Sequence, residues 1–131
     1  MTLLDDAVEQ AVDDGFNGLR AVGDMSWILD GVPGTDRVFE YEAMMNEFYP
    51  TSRALGLCLY DRRGFETSIL ERALHTHPVI ATAAGVVGNS HFDPAHQLRP
   101  LTLDAAGFET ALAATYRVDA GANRVPRRRD S

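Results

Sequence analysis

The sequence contains no lysine: all twelve basic residues are arginine, against nineteen acidic residues, for a net charge of −7. An acidic surface repels phosphate over most of the molecule, which argues against general nucleic-acid binding. The bias towards arginine and aspartate fits a GC-rich genome and a salt-adapted proteome equally. Cys58 is the single cysteine, so an internal disulfide is excluded and a reducing, cytoplasmic compartment is the simpler expectation. No stretch approaches the ~18 continuous apolar residues of a membrane span. The first fifteen residues carry Asp5, Asp6, Glu9, Asp13 and Asp14, where a secretory signal would be basic and then apolar. Also missing are a P-loop, a GxGxxG opening a helix, a GxSxG and a CxxC. The expectation is a protein with no catalytic apparatus and no cofactor.

What remains is enough for one domain: 131 residues, 45% of them apolar. Thr2 is positioned to cap a helix over 3–14, with Leu4, Val8, Ala11 and Val12 on one face and Gly15 as its stop. A strand of mixed character is expected over Leu19–Ile28, with its regular run ending at Gly23-Asp24. Thr35 is expected to cap a second helix, about 36–48, with Val38, Tyr41, Met45 and Phe48 as its apolar stripe. Ala54–Tyr60 and Val79–Val87 are apolar runs of the kind that form buried strands. A helix over 65–75 separates them, with Phe65, Ile69 and Leu70 inward. Thr102 is placed to cap a last helix, 102–118, ahead of a disordered basic tail, 119–131, that holds Arg124 and Arg127–Arg129. Strands alternating with helices point to an α/β fold with a mostly parallel sheet joined by right-handed crossovers. Three core strands make a thin sheet, so an edge covered by another chain is expected.

Ligands bind outside the carboxyl ends of strands in such sheets. Asp24, Ser26 and Trp27 follow the first strand, and Tyr60, Asp61, Arg62 and Arg63 follow the second. Asp61 has a blander reading, as a cap for the helix after it. Glu40 and Glu42 do not face each other at i, i+2 and read as solvated charges. His75 and His77 lack the spacing of a helical metal pair, and His77 reads as a partner for carbonyls at a helix end. His91 and His96, in an irregular segment, make a poor metal site. Cys58 reads as a small core hydrophobe.

Four segments taken together, GLRAVGDMSW (18–27), EYEAMMN (40–46), LCLYDRR (57–63) and THP (76–78), resemble the MEDS domain over roughly residues 10–94. That sensory domain is named for methanogens, methylotrophs and a dichloromethane-responsive repressor. The resemblance implies a partial RecA-like sandwich of about 3–5 strands, akin to circadian-clock ATPases, with only the C-terminal half of the domain present over 1–101. It implies sensing of small hydrocarbon or one-carbon derivatives. It also implies partnership with a kinase or transcription regulator, and Asp24 at the position of a Walker B acid. The expected ligand-binding residues are Arg20, Asp24, Ser26, Trp27, Tyr60, Asp61 and Arg62, with Arg20 and Arg62 suited to an anionic group. The other expectation is an assembly subunit that pairs through an exposed sheet edge, as a homo-oligomer or completed by another chain.

Overall fold

The computed structural model describes residues 2–93 and 104–122. These fall into two compact units that divide between Glu66 and Thr67.

The first unit opens with helix α1, Thr2–Asp13. Gly15, at φ 89°, ends it. The amide of Gly15 bonds to the Val12 carbonyl and that of Phe16 to the Ala11 carbonyl, so two orphan carbonyls are satisfied by a left-handed turn. Strand β1, Leu19–Asp24, then pairs in parallel with β2, Ala54–Leu59, in the register Leu19 to Ala54 through Asp24 to Leu59. Between them the chain forms a 3-10 helix, Met25–Asp30, a short 3-10 turn, Thr35–Arg37, and helix α2, Val38–Phe48. A further 3-10 turn, Tyr49–Thr51, leads into β2.

Burial alternates along both strands. Leu19, Ala21 and Gly23 share the inner face with Ala54, Gly56 and Cys58. Apart from Leu19 these side chains are small, which lets the α2 layer come close. A Cβ at Gly56 would collide with the hydroxyl and ring of Tyr49. The other face carries Arg20, Val22 and Asp24 beside Leu55, Leu57 and Leu59, all exposed. The apolar run 54–60 therefore is not a strand buried on both sides. A continuous apolar string records composition, whereas burial follows the period-2 alternation of the backbone, and only one face of this strand has a covering layer.

The second unit contains α3, Thr67–Thr76, strands β3, Val79–Thr82, and β4, Gly85–Gly88, and helix α4, Ala105–Ala122. Here the expected parallel strand over 79–87 is corrected. The run breaks at Gly85, whose φ of 136° turns the chain back, and β3 pairs antiparallel with β4. Thus the described strands make two separate two-stranded sheets, one parallel and one antiparallel, not one mostly parallel sheet. Asn89, buried after β4, organises this unit: its Nδ2 donates to the carbonyls of Leu74 and His77, and its Oδ1 accepts from the His91 amide at 2.9 Å. His77 Nδ1 bonds to the Ala73 carbonyl at 2.7 Å, the helix-end role its position indicated. Asp104 caps α4 by accepting from the Gly107 amide at 2.7 Å. Thr102 as a cap, His96 and the arginines of 124–129 lie outside the described residues. No helix among the described residues is long and apolar enough to cross a membrane.

The Gly56–Tyr49 contact predicts that Gly56→Ala lowers stability by about 1–3 kcal/mol, the usual cost of overpacking. Denaturant titration should show a lower midpoint with an unchanged slope, and Gly56→Ala combined with Tyr49→Leu should recover part of the loss.

Candidate functional site

The rotation of α2 decides what the first unit offers to a ligand. Helical spacing in the sequence put Tyr41 inward and Glu42 in solvent. The structure reverses both: Glu42 is 3% exposed and Tyr41 is 50% exposed. Glu42 shares the inner face of α2 with Val38, Phe39, Met45 and Phe48. Its Oε1 accepts the Tyr60 hydroxyl at 2.7 Å, and the Cys58 thiol also hydrogen-bonds to it. A carboxylate can be buried only if donors replace its water, and the end of β2 brings two. Tyr60 is braced edge-on by Phe65, with ring centroids 5.2 Å apart.

Burial, followed by the neighbouring Glu42, pushes the Cys58 thiol up to about 12. The same causes push the Tyr60 phenol well above its ordinary range. Cys58 is therefore a protonated donor at neutral pH and offers no thiolate nucleophile.

With Glu42 inward, the residues at i, i+3, i+4 and i+7 from Arg37 come to the outside. Arg37, Glu40, Tyr41 and Met44 line a cleft of about 460 Å³ together with Trp27, Gly34 and Val38. Its walls are aromatic and aliphatic, and one ion pair, Arg37 Nη2 to Glu40 Oε2 at 2.9 Å, lies among them. The volume falls within the range of small-molecule sites, and the mix of apolar wall and few polar groups matches their usual composition.

Two glycines and one aspartate position this cleft. Asp24 ends β1 and accepts from the Ser26 amide at 3.0 Å, starting the 3-10 helix that carries Trp27. That bond holds the Asp24 carboxyl below the ordinary carboxylate range. Gly31, in the left-handed region at φ 62°, closes the same helix. Gly34, at φ 96°, turns the chain into α2.

The parallel register sets the ends of β1 and β2 side by side, so Asp24, Ser26 and Trp27 share one rim with Tyr60, Asp61 and Arg62. Of the expected ligand residues only Trp27 lines the cleft. Arg20 sits four residues before Asp24 on the outer sheet face, about 13 Å back along the strand at the usual rise. Asp61 does not cap α3. It accepts from the Arg63 amide at 2.9 Å and from the Arg63 guanidinium, which hold its carboxyl low. Its carbonyl accepts from Gly64 and Phe65, so its work is the turn that seats Phe65 beside Tyr60. Arg37, Glu40, Tyr41 and Met44 escaped the sequence reading. Their i, i+3, i+4, i+7 spacing was visible, but without Glu42's burial nothing marked that stripe as the one facing Trp27.

Residues 1–78 match the family model MEDS, described as MEthanogen/methylotroph, DcmR Sensory domain. The matched span starts at residue 1, so it takes in α1, and it includes the whole first unit with its cleft. No curated protein and no solved structure matches the chain.

Two consequences of the buried carboxylate are measurable. Tyr60→Phe removes one of its donors and should cost about 1–3 kcal/mol of stability in a denaturant titration. The thiol of Cys58 ionises near 9.0 when unfolded and near 12 when folded. A raised folded value means that its contribution is complete below pH 9 and is lost as pH climbs towards 12. The unfolding midpoint should therefore fall across that window, and Cys58→Ala should flatten the decline.

Proposed function

The chain belongs to the MEDS family of sensory domains, and from that premise we propose that it is a non-catalytic module that senses a small molecule through the cleft beside Trp27. The observation that carries this reading is the convergence of the sole tryptophan with Tyr41 and Met44 around about 460 Å³ of accessible space. A flat indole wall, a second aromatic ring and a polarisable thioether suit a small hydrocarbon or a one-carbon derivative, such as a halogenated methane. The Arg37–Glu40 pair supplies a cation and an acceptor for a polar substituent.

In this reading Asp24 and Ser26 act by positioning Trp27. Tyr60 acts through Glu42, and Asp61 and Arg62 form the adjoining rim where a signalling partner, a kinase or a transcription regulator, would read the state of the cleft. Arg20 belongs to a different face. The proposed RecA-like relation of the domain is supported by the parallel β1–β2 crossover with an acid at the carboxyl end of β1. A cytoplasmic site of action is supported by the single cysteine, half-buried next to a carboxylate as a thiol.

Titration of the full chain with dichloromethane, methanol, formaldehyde and toluene, followed by Trp27 emission, tests the proposal. At least one class should give a saturable change. Tyr41→Ala should weaken that binding about tenfold or more while leaving the circular dichroism spectrum intact, since Tyr41 is exposed and a lost anchor of this kind costs ~1.4 kcal/mol or more. A flat emission response to all four probes, with the fold intact, would sink the reading.

A further inference from the structure

The parallel sheet of the first unit has a second face that the cleft does not use. On it Val22, Leu55, Leu57 and Leu59 are 65%, 62%, 43% and 45% exposed. The register sets them as one block: Val22 opposite Leu57, with Leu55 before and Leu59 after along β2. Such a patch, on the order of a few hundred Å², is at the size that marks an interaction surface on a small protein. Two charges frame it on β1. Arg20 lies opposite Leu55 at one end, and Asp24 lies opposite Leu59 at the other. Arg20 makes no hydrogen bond or ion pair among the described residues.

From this pattern we infer that the outer face of the β1–β2 sheet is the dimer interface of the protein, occupied by the same face of a second copy with its strands running the opposite way. The charges select this occupant and this orientation. Val22 stands midway between Arg20 and Asp24. A two-fold axis that lies between the sheets and crosses the strands at Val22 and Leu57 lays β1 over the partner's β1, antiparallel. Arg20 then stands over the partner's Asp24, and Asp24 over the partner's Arg20. Leu55 meets the partner's Leu59, and Val22 and Leu57 meet their own equivalents on the axis. The alternative with strands running the same way gathers both arginines at one end and both aspartates at the other, and is disfavoured by like charge.

The antiparallel contact closes on itself, as a two-fold interface must. Facing sheets pack about 10 Å apart, a gap that an extended arginine and an aspartate span together. The apolar block is smaller than the about 800 Å² per partner of a standard interface. Arg20, Asp24 and the surrounding rim complete it, so the dimer forms at roughly micromolar concentration and weakens with salt. The surface is a sheet face, distinct from edge pairing, and it leaves the Trp27 cleft open on the other side of the α2 layer.

Sedimentation velocity of the full chain over ~1–200 µM tests the inference, a range chosen around a micromolar dissociation constant. The 14.4 kDa chain should move to twice that mass as concentration rises. Leu57→Glu should hold it at the monomer mass with an unchanged circular dichroism spectrum. Arg20→Asp and Asp24→Arg each place like charges opposite one another, and each alone should weaken self-association at least tenfold. An equimolar mixture of the two should recover the dimer, because every contact is then a plus–minus pair. A wild-type chain that stays monomeric at the highest concentration overturns the inference. So does an Arg20→Asp chain that dimerises as well as the wild type, or a mixture with no gain over its components. A Leu57→Glu chain that loses thermal stability with no change in mass also overturns it, because the face would then be covered within one chain.

Discussion

A single buried carboxylate sets the layout of the first unit. Glu42 lies under α2 and takes the Tyr60 hydroxyl and the Cys58 thiol as donors. Burying this carboxyl with neither donor would cost several kcal/mol, which favours the rotation of α2 that keeps both within reach, although Oε2 itself accepts no hydrogen bond. That rotation points Val38, Met45 and Phe48 inward with Glu42. It turns Arg37, Glu40, Tyr41 and Met44 outward, towards Trp27. The hydrogen bond from Tyr60 thus couples the end of β2 to the wall of the cleft on the opposite side of the same helix. A change at either end has a short physical path to the other.

The sheet beneath is built for that close approach. Alanine and glycine make up most of its inner face, and Tyr49 lies over Gly56 where no Cβ fits. Bulk goes to the outer face instead, as three leucines and a valine between two charges of opposite sign. A strand pair with small residues inside and large apolar residues outside inverts the ordinary distribution. The two faces therefore differ, one lying under the helix that lines the cleft and the other carrying the inferred dimer contact. Asp24 belongs to both: its carboxylate starts the 3-10 helix that presents Trp27 and stands at one corner of the outer face.

Much of this was legible in the chain. Gly15 stops α1, Asp24 ends β1, and His77 finishes α3, each because local backbone geometry or a nearby carbonyl requires that residue type. The family was legible too, since short segments such as GDMSW and YDRR keep their order and spacing along the chain. The tally of strands was less legible. Val79 to Val87 reads as one apolar run, and only the left-handed Gly85 divides it into a hairpin.

What the sequence determined by itself was most of the helices and strand starts, the acidic character and the family. Tertiary structure alone decided which side of α2 is buried, which face of β2 is covered and which of the rim residues reach the cleft. The physical reason is the same in all three cases. Helical and strand periodicity rank faces by average polarity, and the first unit breaks that ranking by burying a glutamate and exposing leucines. A buried glutamate is stable only where a distant tyrosine and cysteine arrive to donate to it, and exposed leucines are tolerated where a further surface meets them. Neither condition is written at the position it governs.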